Sequence, residues 1–158
     1  MKLASTETTS TATRTKILIP ILVGGGIAGT FDLISAFITF GWAVPRAVAG
    51  GLLGPQAIQG GAGIWVLGVL LHYSIAFGAA AIYCLSSWNL DFLREHFVVC
   101  GLFYGLAVHL VMNLVVLPLS AYHSMGPYQY AQLMQGLLVH MVLIGLPIAT
   151  SLRVFCKR

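Results

Sequence analysis

Five polar side chains occupy positions where polarity is costly. Asp32, His72, His109, Asn113 and His140 each lie near the middle of a long apolar stretch. An ionisable or amide group in hydrocarbon needs a partner or a task. Carboxylate and imidazole can share a proton, form an ion pair or ligate a metal, and imidazole titrates near neutral pH.

These residue types support three readings. In the first they form a structural network, hydrogen-bonding across helices at about 0.6 to 2 kcal/mol per contact. In the second they are steps of a proton or small-ion pathway, the usual task of Asp and His chains at the membrane midplane. So small a protein would then need a homo-oligomer to enclose a watery path. In the third, the imidazoles and the carboxylate hold zinc or copper, or two histidines ligate a haem. Spacing gives the third no support, since the chain has no His-x-x-x-His pair, no CxxC and no CxxCH. The sequence favours the structural network and implies no cofactor and no metal. His96 and His123 fall in loops and read as solvated surface residues.

Catalytic motifs are missing as well. Gly24-Gly25-Gly26 lies in a membrane segment with no strand before it, so it is no nucleotide loop, and there is no GxSxG. The chemistry points away from an enzyme and assigns no catalytic residue.

The elements that must position the polar residues follow from composition. Of 158 residues, 58% are hydrophobic and only 8% charged, and the mean hydropathy is +0.91. A soluble domain carries about a quarter charged residues. The apolar stretches run from about Ile17 to Gly41, Ala62 to Leu85, Phe97 to Leu117 and Tyr130 to Leu152. Each exceeds the roughly 20 residues that cross a hydrocarbon core. No strand-like alternation is present, so helices must satisfy the backbone. The expected fold is all-α: a polytopic membrane protein with a four-transmembrane-helix bundle over residues 17–158. Residues 1–16, rich in Ser, Thr and Ala, read as a mobile cytoplasmic tail.

Every helix also carries a four-residue ladder of small or polar residues: Gly24-Ala28-Asp32-Ala36, Gly68-His72-Ala76-Ala80, Gly101-Gly105-His109-Asn113 and Gln132-Gly136-His140. Residues four apart share a face, and small ones let helices approach closely in lipid. Gly24, Gly68, Gly101, Gly105 and Gly136 are therefore expected packing positions, and the polar residues should meet inside at one depth.

Charge sets the orientation. Lys2, Arg14, Lys16, Arg94, Arg153, Lys157 and Arg158 fall on one side and Arg46 alone on the other, so both termini belong in the cytoplasm. The net charge of +4 then reflects topology and the lipid bilayer as partner; nothing resembles a nucleic-acid-binding surface. Trp42, Trp65, Tyr122, Tyr128 and Tyr130 should mark the outer interface, and Tyr83, Trp88, Phe92 and Phe97 the inner one. A cleaved signal peptide ending near Ala47-Val48-Ala49 is disfavoured, because the apolar run is too long and Asp32 interrupts it.

Cys84, Cys100 and Cys156 lie near the cytoplasmic ends and read as free, packing thiols. The glycine-rich stretch from Ala43 to Gly61 is expected along the outer interface as one or two short helices, with Pro55 at a helix start, or as a re-entrant cap. Gly54-Pro55 and Gly126-Pro127 precede the second and fourth spans, a weak echo of duplication.

From His72 to Arg153, the order LHYSIAFGAAAIYCL, GLFYGLAVHLVMNLVVLPL, a tyrosine-containing loop and GLLVH resembles the YagU-like bacterial inner-membrane proteins, a family without an established activity. The resemblance covers about half the chain and implies a bacterial inner-membrane location.

Overall fold

In the computed structural model, the backbone is described for residues 4–123 and 129–156 and side chains from residue 17 onward. The architecture is all-α. Helix α1 spans Ala4–Phe40, α2 Val44–Leu53, α3 Ala62–Ser86 and α4 Phe92–Glu95. Helix α5 runs Phe97–Leu119 and α6 Tyr130–Phe155. The stretches Ile17–Phe40 and Ala62–Ser86, together with all of α5 and α6, are long and apolar enough to cross a membrane. Leu22, Ile38, Leu70, Phe103, Leu114 and Leu138 are all exposed, as side chains turned toward lipid should be.

The segment expected as a mobile tail continues α1 from Ala4. Elongating an existing helix adds one hydrogen bond per residue without a new nucleus. Helix α1 stops at Gly41, whose φ of 79° closes the terminus. The following turn is pinned by stacked Phe37, Trp42 and Trp65, with Trp65 Nε1 donating to Trp42 O at 3.1 Å. The stretch before α3 forms α2 and a 3-10 turn, Pro55–Gln59, which Pro55 opens.

Helix α1 packs between α3 and α6, and α6 packs on α5. Contacts between small residues set these approaches. A Cβ on Gly25 would meet Phe77, and one on Gly29 would meet Ala76 and Tyr73, so this glycine pair seats α1 on α3. Gly24 abuts Ile148 and Ser151, and Gly101 abuts Ala149 and Gly145. The apolar core, Ala28, Ala80, Tyr83, Cys84, Ile144, Ile148, Ala149 and Leu152, fills the half of the bundle remote from α2. Tyr83, expected at the interface, is 2% exposed in this core. Its hydroxyl donates to Leu93 O at 3.0 Å and ties α4 down.

Helices α5 and α6 each contain a π-helical segment, Met112–Val116 and His140–Gly145. Each lies just before a proline, Pro118 and Pro147. A proline inside a helix lacks an N–H and crowds the preceding turn. Widening that turn by one residue relieves the clash and shifts the facing of everything beyond it.

Candidate functional site

The polar residues occupy the other half of the bundle, toward α2. Their depths can be compared through the bonds between helices. On α1 and α6, Gln135 Nε2 donates to Thr39 Oγ1 at 3.0 Å and Ser151 Oγ donates to Pro20 O at 2.9 Å. Interpolating between these bonds places Asp32 level with His140. His72 Nε2–H donates to Gly29 O at 2.8 Å, less than one helical turn from Asp32. His109 and His140 are in ring contact. The four ionisable residues thus share a depth.

Shared depth brings only some of them together. The His109 and His140 rings meet edge-to-face with centroids 5.0 Å apart. Gly136 makes the room, since a Cβ there would lie 2.9 Å from His109 Cε1. His140 Nδ1–H donates to Gly136 O at 2.8 Å, which fixes its tautomer and leaves Nε2 as the acceptor. Asn113 Nδ2 donates to His109 O at 2.9 Å and lies 3.4 Å from both ring nitrogens, so its amide covers the imidazole. His109 is 7% exposed. Both rings adjoin the π-helical turns, where a helix face is offset by one residue.

His72 stands apart from this cluster on the α1–α3 seam, beside the bond between Thr30 Oγ1 and Tyr73 OH at 2.9 Å. Asp32 is half-buried, and among the described residues no hydrogen bond or ion pair reaches it. The single five-membered core expected from the ladders is therefore divided: His109, Asn113 and His140 form one group, His72 bonds to backbone, and Asp32 lies level with both. No group of three or more potential metal ligands gathers among the described residues.

The expected packing glycines all sit at close approaches. Gly105 lies against the backbone of His140 and Met141. Gly68 meets Pro45 of α2, where the ladder implied another span. Gln132, placed on the inward ladder, is exposed. Gly25, Gly29 and Gly145 were missed, although Gly25 and Gly29 carry the same four-residue signal. Tyr122, expected at the interface, is partly buried with its hydroxyl against Gly50, and Ala121 N donates to Gly51 O at 2.8 Å. Helix α2 thereby joins the start of α3 to the end of α5. His96 and His123 are exposed. Cys84, Cys100 and Cys156 form no disulfide, and Cys84 lies in the core. Tyr128 and Gly126-Pro127 lie outside the described residues.

Four apolar helices and a polar zone between them define the class, a membrane-spanning all-α protein. No family model, curated protein or solved structure matches the chain.

Proposed function

We propose that this chain is a non-enzymatic protein of the bacterial inner membrane, with both termini and residues 87–96 in the cytoplasm, whose polar side chains lock its helices together. The observation that carries this reading is where those side chains end. His72 reaches the backbone of α1, Ser151 the backbone at Pro20, and Tyr104 OH donates to Ala79 O at 2.7 Å. Gln135 of α6 meets Thr39 of α1. A group that bonds across helices in lipid contributes about 0.6 to 2 kcal/mol of association. The cation bias supports the orientation, and the likeness of residues 72–153 to the YagU-like proteins supports the compartment.

One observation favours a second reading, a proton or small-ion pathway. Asp32 has no partner among the described residues, yet shares its depth with His140. A carboxylate level with two touching imidazoles is suited to passing a proton.

Asp32→Asn separates the two readings. Reconstituted in liposomes under an imposed pH gradient, the wild type of a structural protein conducts no more than empty vesicles, and Asp32→Asn melts within a few degrees of it. Proton flux in the wild type that disappears in Asp32→Asn, an amide being unable to titrate, would overturn the structural reading in favour of the pathway.

A further inference from the structure

A cavity of about 680 Å³ lies between α3, α4 and α5, at the end of the bundle opposite α2. Its volume lies within the usual 300–1,000 Å³ range of small-ligand sites. It exists because α3 and α5 do not close on each other there. Tyr104 acts as the wedge, with its ring 4.8 Å from that of Tyr83 and its hydroxyl on the backbone of α3.

The lining is hydrocarbon by construction. The hydroxyls of Tyr83, Tyr104 and Ser86 are spent on Leu93 O, Ala79 O and Ile82 O, at 3.0, 2.7 and 2.8 Å. What faces the space is ring and aliphatic surface, including Leu90, Val99 and Phe103. Val99 and Phe103 are 54% and 65% exposed on a span-length helix, so the mouth opens sideways into the bilayer. An apolar occupant entering from the membrane suits these walls.

The rim adds charge. His96 lines it, and α4, which forms one wall through Phe92 and Leu93, carries the adjacent Arg94, paired to Asp91 at 3.4 Å. The Asp91 side chain is 61% exposed and that of Arg94 16%, so water competes for the carboxylate while the guanidinium stays against the protein, where a phosphate oxygen can replace the carboxylate oxygen. Asp91 precedes α4 and Glu95 ends it, and Arg153 lies in the last turn of α6, against which α4 packs. The basic side chains Arg94, His96 and Arg153 thus stand at this end against the acids Asp91 and Glu95, and basic pockets between spans hold anionic lipid headgroups.

We propose that this cavity holds one acyl chain of an anionic glycerophospholipid, with its phosphate at the Arg94 and His96 rim. The test uses delipidated protein in detergent, with the melting temperature followed as phosphatidylglycerol or phosphatidylcholine is added and native mass spectrometry counting what stays bound. One phosphatidylglycerol per chain is expected, half-saturating at a concentration about fivefold below that of phosphatidylcholine, the factor one interfacial cation supplies. Arg94→Gln should remove that preference. Val99→Trp, which fills the cavity from α5, should melt like the wild type without lipid and lose the response; Leu90→Trp fills it from the other wall if Val99→Trp does not fold. Equal response to the two lipids, an undiminished response in a filled variant that folds, or retention of an apolar molecule without a phosphate would overturn the proposal.

Discussion

Gly105→Ala adds one methyl group and should be among the most damaging changes in the chain. The reason is what the methyl would meet. A Cβ at Gly105 lies within contact of His140 O, 2.7 Å from His140 C and 2.5 Å from Met141 Cα. These are backbone atoms, which cannot rotate away as a side chain can. Met141 Cα is about 0.9 Å inside the 3.4 Å at which ordinary contact begins, so α5 and α6 must separate by nearly that much at their closest point. Overpacking that displaces backbone costs about 1–3 kcal/mol. The same separation loosens the His109–His140 contact one turn away, so the upper half of that range, about 2–3 kcal/mol, is expected. Gly78→Ala is the control. Its Cβ meets nothing within 4 Å, and a helical alanine in place of glycine is worth about 0.5–1 kcal/mol. The two substitutions should therefore move stability in opposite directions. Reversible unfolding in mixed micelles measures both. A Gly105→Ala protein within about 0.5 kcal/mol of wild type, the scatter of unremarkable surface changes, would refute the claim that α5 and α6 meet backbone to backbone.

A double-mutant cycle on His109→Ala and His140→Ala should give a coupling above about 0.5 kcal/mol, while His72→Ala with His109→Ala should be additive; the reverse pattern in unfolding measurements would mean that the histidines are grouped wrongly. Ser151→Ala should cost about 1 kcal/mol by losing the bond to Pro20 O, and Tyr104→Phe a similar amount at Ala79 O, both read from the same unfolding curves. Reporter fusions following Arg158 or within the loop of Trp88 should signal cytoplasm, and one beside Arg46 the outside. A periplasmic signal from the C-terminal fusion would reverse the orientation.

The spans were legible because hydrocarbon demands length and apolarity, and both are properties of composition. The third and fourth spans, expected to end at about Leu117 and Leu152, continue as helix to Leu119 and Phe155. The π-helical turn tolerates the proline, and a terminal arginine can extend to the interface. The packing glycines were legible too, because a small residue repeated every four positions marks a helix interface in lipid. Which neighbour each one meets was not. Gly68 meets α2 only because the Phe37, Trp42 and Trp65 stack folds that helix back onto α3, a contact between residues far apart in sequence.

The polar zone failed as a single cluster for a related reason. Extrapolated at four residues per step, the ladder on α6 runs from Gly136 and His140 to Ile144 and Ile148. The structure keeps Gly136 and His140 on the α5 interface but continues it with Gly145 and Ala149, one residue later. The extra residue is the π turn before Pro147. It lets a single helix present its polar residues to α5 in one half and then return small residues to the same partner in the other. Without the insertion, the faces carrying His140 and Gly145 would diverge, and α6 could not contact α5 along both halves. His72 and Asp32 sit on helices with no such offset, so their facing is fixed by α1 and α3 alone, and His72 bonds to the backbone of α1 instead. Depth was therefore readable from span ends, whereas facing depended on two proline-linked register shifts that hydropathy does not record.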